Sequence, residues 1–249
     1  MLPIGDDNRD RTITPVVNYV LIALNILVFV VFQGLGSNQA FTYAWATVPE
    51  EILSGEDLVT ADRRVQDPAT GQTFTVPGLQ PTPGSVYLTL LTAMFMHGSV
   101  AHLLGNLLYL WIFGDNLEDR MGHGRYLIFY LLSGLLASLA HVFASAALGD
   151  NLLIPSLGAS GAISGVLGGY LLLFPRRQVR VIILRVLTRV PAIVAVGLWF
   201  VFQVIEGLGM LGGSAAGGVA YAAHIGGFLA GLALVKLFDR GPQAPARGF

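Results

Sequence analysis

Six apolar stretches constrain this chain more than any other feature, because each approaches the ~20 residues a helix needs to cross a bilayer. They cover 16–32, 101–117, 126–148, 157–174, 190–208 and 219–238. In hydrocarbon every backbone N–H and C=O must be satisfied within its own segment, so each stretch predicts a helix. The expected fold is all-α: a polytopic membrane protein built as a six-transmembrane-helix bundle over residues 16–239. Residues 1–15 form a polar segment and 240–249 a short tail. The segment lacks the basic-then-apolar order of a secretory signal, so insertion is expected to rely on the internal stretches. A long first loop occupies about 33–100. Its apolar part, 86–96, is too short to cross alone, and Thr89 to His97 is expected to re-enter the membrane surface.

Composition supports this reading. Charged residues make up 12% of the 249, about half the share of a soluble domain, and the mean hydropathy is +0.67. A net charge of -1 with no basic stripe argues against nucleic acid as a partner. The absence of cysteine excludes disulfides, thiolate metal sites and a cysteine nucleophile.

Orientation follows from the basic residues. With the N-terminus cytoplasmic, every lysine and arginine except Arg63 and Arg64 falls on the inner side, and those two lie in the long first loop. Both termini are therefore expected to be cytoplasmic, in an integral membrane protein of a prokaryotic cell membrane. This direction converts sequence position into depth. His102 and Asn106 open the second stretch, Ser160 the fourth and His224 the sixth, while His141, Gln203 and Glu206 come late in stretches that run the other way. All fall in the outer half. Polar groups within a span are costly and face the bundle interior or water, so together they predict a wet cavity opening outward.

The stretch Pro155 to Gly165 places Ser160 in the first turns of the fourth helix, where backbone N–H groups lack intrahelical acceptors. Such groups can donate to a developing oxyanion. Gly161, Gly165 and Gly169 form consecutive GxxxG steps, and Ala223, Gly227 and Gly231 repeat the spacing beside His224. Two helices with such seams approach closely. Ser160 Oγ and a His224 ring nitrogen can then meet, as an activated nucleophile requires. Ser164, one turn deeper, reads as a packing residue whose hydroxyl bonds back to the helix. His97 and His141 read as structural, and Gln203 and Glu206 as lining water or holding the end of the fifth helix.

Together these motifs resemble the rhomboid family of intramembrane proteases. The GxSG serine motif stands at Gly158–Gly161, the sixth-helix histidine in Ala223-His224-Ile225-Gly226-Gly227, and HxxxN at His102–Asn106 with His97 upstream. Phe113-Gly114-Asp115-Asn116-Leu117-Glu118 is similar to the family's GxxxE helix end. The resemblance covers about 85–239 and the first stretch; the Trp-Arg pair that many members carry in the first loop is absent. It implies a serine endopeptidase with a catalytic Ser160–His224 dyad and no acidic third member. Ser160 N–H, His102 and Asn106 would stabilise the oxyanion. It implies no metal and no cofactor, and single-span membrane proteins as substrates within the lipid bilayer.

Three other classes compete. A non-catalytic rhomboid-like client-binding protein would be expected to lack the serine or histidine, and both are present. A channel or transporter would carry polar residues on through the inner halves or show broken-helix repeats. A metalloprotease would need HExxH, which the chain lacks.

Overall fold

The computed structural model describes residues 1–66, 71–211 and 221–241, and among these it leaves out the side chains of 74 and 209–211. A helix overlaps each of the six expected stretches; residues 219–220 of the sixth and 242–249 of the tail lie outside the described residues. α1 (Val16–Leu27) widens into a π-helical turn at Val28–Phe32. The first loop holds α2 (Gln39–Trp45), α3 (Pro49–Ser54) and a hairpin of β2 (Arg63–Gln66) with β3 (Thr73–Val76). It ends in α4 (Thr89–Thr92), flanked by 3-10 turns at Val86–Leu88 and Ala93–Phe95. Then follow α5 (Val100–Met121), α6 (His123–Leu148), α7 (Ser160–Leu173), α8 (Ala192–Leu211) and α9 (Tyr221–Phe238).

Among the described residues, α6 and α9 alone are long and apolar enough to cross a membrane as single helices. A third crossing results if Val86–Phe95 and α5, bent by 78° from one another, count as one span. Val16–Phe32, Ser160–Leu173 and Ala192–Leu208 are shorter apolar helices. A bend of this size fits a broken span and the expected re-entrant segment alike. Large apolar side chains point outward all round the bundle, among them Leu104, Trp111, Phe143, Phe202 and Leu229. Exposed large apolar side chains in this number suit a surface that faces lipid.

The bundle is held by close packing rather than by withdrawal from water, since lipid is as apolar as leucine. α7 and α9 meet along the glycine seam. A Cβ on Gly227 would collide with the Gly161 carbonyl oxygen, and one on Gly231 with that of Gly165. On the other face of α7, Gly165 takes Ser133 of α6 and Gly161 takes Ala137. Farther from Ser160, large fully buried rings fill the space, including Phe113, Tyr126, Phe129, Tyr130, Tyr170 and Phe228.

The expectation of an all-α chain needs correction: the protein is mostly helical but not wholly so. A three-stranded antiparallel sheet in the order β1-β4-β5 closes the end of the bundle away from Ser160, with β1 at Leu2–Gly5, β4 at Gln178–Ile183 and β5 at Val186–Pro191. Alternation explains it, because Val179 and Val181 face the core while their neighbours on β4 are exposed. Leu184 and Arg185, both at positive φ, close the two-residue turn between β4 and β5.

The polar N-terminal segment is clasped to the same end. Asn8 and Arg11 donate to Asp115 at 2.8 Å each, and Asp119 accepts from the backbone of Thr12 and Ile13 at 2.7 and 2.8 Å. Arg177 reaches Asn116, the Asp7 carbonyl and Asp10. The start of α1 lacks a side-chain cap of its own. The fully buried Glu118 carboxyl supplies one, accepting from the Val17 and Asn18 N–H groups at 2.9 and 2.7 Å. These polar residues also explain why α5 runs on to Met121, beyond the apolar window.

Candidate active site

Ser160 is the first residue of α7. The loop before it is pinned to the first loop from two sides. Thr47 and Ser156 exchange backbone hydrogen bonds of 3.0 and 2.8 Å, and Gly158 N–H donates to the Ala93 carbonyl at 2.9 Å. Gly158 has φ +131°, and a Cβ there would press on the His102 ring at 2.9 to 3.0 Å. Glycine is therefore required on both conformational and spatial grounds. The first helical hydrogen bond of this turn runs from Ile163 N–H to the Ala159 carbonyl. The amides of Ser160, Gly161 and Ala162 precede it, the usual orphan donors of a helix start.

His224 lies one turn into α9, and the glycine seam carries its ring to Ser160. Nε2 stands 2.8 Å from Ser160 Oγ. Nδ1 stands 2.6 Å from Gln203 Oε1 on α8. Trp199 and Tyr221 flank the imidazole at ring-centroid distances of 6.2 and 6.3 Å. Ser164, by contrast, donates its hydroxyl to the Ser160 carbonyl at 2.6 Å and points away from this contact, in keeping with a packing role.

These residues line a cavity of about 550 Å³ to which α5, α7, α8 and α9 all contribute. His102, Asn106, Ser160, Gln203 and His224 all reach it. His102 and Asn106 stand one turn apart on α5 and share its face toward the cavity. The Asn106 Nδ2 group is buried without a hydrogen-bond acceptor, and Asn106 and Ser160 line the same cavity. Of the residues expected at this level, His141 and Glu206 do not line the cavity. His141 borders a smaller pocket on the α6 side of Ser160. His97 is buried behind His102, ring against ring at 5.1 Å, and its backbone is clamped at both N–H and C=O by the Gln33 amide.

Sequence reasoning placed Gln203 near water but did not connect it to His224. The available signal was its position late in the fifth stretch, which gives depth but not a partner. No group of three or more His, Cys, Asp or Glu side chains able to hold a metal occurs among the described residues. Chemically, the arrangement offers a hydroxyl bonded to an imidazole, orphan amides beside it and further donors across a cavity. That set suits acyl transfer.

Comparison with known proteins agrees with the motifs. The Rhomboid domain family matches residues 84–240. The rhomboid protease GluP of Bacillus subtilis is 38% identical over 148 residues, which cover 58% of this chain and 25% of that protein. Rhomboid protein 1, mitochondrial, of Saccharomyces cerevisiae is 26% identical over 240 residues, covering 93% of this chain and 58% of that protein. RHOMBOID-like protein 4 of Arabidopsis thaliana is 36% identical over 152 residues, covering 58% of this chain and 32% of that protein. The chain thus spans between 25% and 58% of the length of these relatives.

Proposed function

The chain belongs to the rhomboid family of integral membrane proteins, some of whose members are proteases, and on that premise we propose that it is an intramembrane serine endopeptidase working through a Ser160–His224 dyad. One observation carries the reading: Ser160 Oγ lies 2.8 Å from His224 Nε2. A serine hydroxyl at that distance from an imidazole has its general base in reach.

In this mechanism Ser160 Oγ attacks the scissile carbonyl carbon while Nε2 takes its proton. The resulting oxyanion accepts hydrogen bonds from the Ser160 N–H, Asn106 and His102. The imidazolium then protonates the departing amine as the C–N bond breaks, leaving an acyl-serine. Water, deprotonated by the same nitrogen, releases the acid product and restores Ser160. Substrates are the transmembrane segments of single-span membrane proteins, reached from within the bilayer. The domain division is 1–15, 16–239 and 240–249, with six spans and both termini cytoplasmic. Because the relatives include mitochondrial proteins, similarity gives no support to a prokaryotic membrane in particular.

The test is cleavage of a single-span substrate by purified protein in proteoliposomes. Wild type should cut and be labelled at Ser160 by a serine-directed fluorophosphonate, with labelling dependent on His224. EDTA should leave the rate intact. Ser160→Ala should reduce cleavage to background while its melting temperature stays near wild type. Substantial cleavage by Ser160→Ala, or loss on EDTA restored by zinc, would overturn the reading.

A further inference from the structure

We infer that Gln203 is a positioning residue which fixes the tautomer and orientation of His224, making a neutral amide the third member of the site. This rests on the dyad reading above and adds a residue to it. The geometry is a relay across three helices: Ser160 on α7, His224 on α9 and Gln203 on α8, with contacts of 2.8 and 2.6 Å. An imidazole ring can accept a proton from Ser160 only if Nε2 is bare, so the ring proton must reside on Nδ1. An amide oxygen is an acceptor and nothing else. Gln203 Oε1 facing Nδ1 therefore selects the Nδ1–H tautomer and leaves Nε2 free. When the ring becomes imidazolium, both nitrogens donate, and the same bond persists.

Burial explains why an amide suits this place. Gln203 is 6% exposed, and ionised carboxylates that deep cost several kcal/mol unless fully paired. A neutral amide delivers the orienting hydrogen bond without that penalty. Trp199, one turn earlier on α8, and Tyr221 restrict the ring from other directions. Apolar contacts of this kind limit where the ring lies but cannot choose which nitrogen holds the proton. Gln203 can. The opposite orientation of the amide would present N–H groups to Nδ1, move the ring proton to Nε2 and point it at Ser160, which disables the base.

The decisive experiment uses the full chain with 15N-labelled histidine in lipid nanodiscs, reading two-bond 15N–1H correlations of the imidazole rings. His224 is assigned by the signal lost in His224→Gln. The wild type should show His224 protonated on Nδ1. Gln203→Leu should lose that preference, lower kcat by about tenfold to a hundredfold and leave KM within about threefold. Gln203→Glu, which keeps an acceptor oxygen in place, should retain the Nδ1–H tautomer. If Gln203→Leu fails to fold, Gln203→Met, of similar length, is read instead. An Nε2–H wild type, or an unchanged tautomer in the apolar variant, overturns the inference, as does a kcat within about threefold of wild type. If wild type itself cleaves nothing, the protease reading fails separately, while the tautomer comparison still decides whether Gln203 orders His224.

Discussion

Gly227 on α9 faces the carbonyl oxygen of Gly161 on α7 with no room for a Cβ between them. The contact lies one residue past Ser160 and three past His224, so it sets how closely the two side chains approach. Gly231 repeats it one turn deeper against Gly165. The serine–histidine distance is therefore a product of backbone packing rather than of the two side chains alone.

Alanine at Gly227 or Gly231 should force the helices apart. We expect a loss of about 1–3 kcal/mol in stability, the usual cost of overpacking, together with a larger proportional loss of cleavage. Gly124→Ala on α6, where a Cβ meets nothing within 4 Å, should be neutral or slightly stabilising. Thermal melts alongside fluorophosphonate labelling check both, and wild-type labelling rates in Gly227→Ala would show that the seam does not control the pair.

Asn106 holds buried N–H donors without an acceptor. If these serve the oxyanion, Asn106→Ala should cut turnover by about a hundredfold to a thousandfold and leave substrate affinity nearly unchanged. Separate kcat and KM measurements decide this. A change confined to KM would mean that the residue holds substrate rather than the transition state, with the Ser160–His224 pair unaffected. His102→Ala should be at least as damaging, since the same ring also packs against Gly158 and His97.

At the opposite end, burial pushes the Asp6 carboxyl up to about 7 from an ordinary 3.8, against the opposing hydrogen bond from Tyr170. The folded protein thus binds this proton more tightly than the unfolded chain does. Asp6 contributes its full stability below about pH 4, and that contribution is lost as pH rises through about 7. Across this window Asp6→Asn should therefore make the slope of melting temperature with pH more positive than in wild type. A slope unchanged in Asp6→Asn would contradict the assignment.

Orientation is tested by single cysteines in a chain that has none of its own. A cysteine at Gly149, after α6, should react with impermeant maleimide on intact cells. One at Gln178, in β4, should react only after permeabilisation. Labelling of Gln178→Cys from outside would reverse the direction of every helix.

The sequence made the helix positions legible because hydrocarbon leaves a backbone no alternative. It made Ser160 and His224 legible because polar groups in apolar stretches stand out and because matching small-residue spacings announced that α7 and α9 touch. Other features left no local trace. β1 is four residues long and pairs with β4 some 175 positions later, so neither strand signals the other. The apolar window lost α5 at Leu117, since Glu118 and Asp119 look like a helix end until their N-terminal partners are known. Gln203 failed for the same reason: its type and depth were readable, but its partner lies on another helix.

The Glu118 cap on α1 has a consequence in time. Its carboxyl binds the backbone of Val17 and Asn18, which precede it by 101 and 100 residues. A chain made from its N-terminus at about 5–20 residues per second emits the first helix on the order of 5–20 s before that acceptor exists. Until then the start of α1 must satisfy its amides from headgroups or water. The contact that caps α1 is therefore a late one, which can close only after the end of α5 has been made.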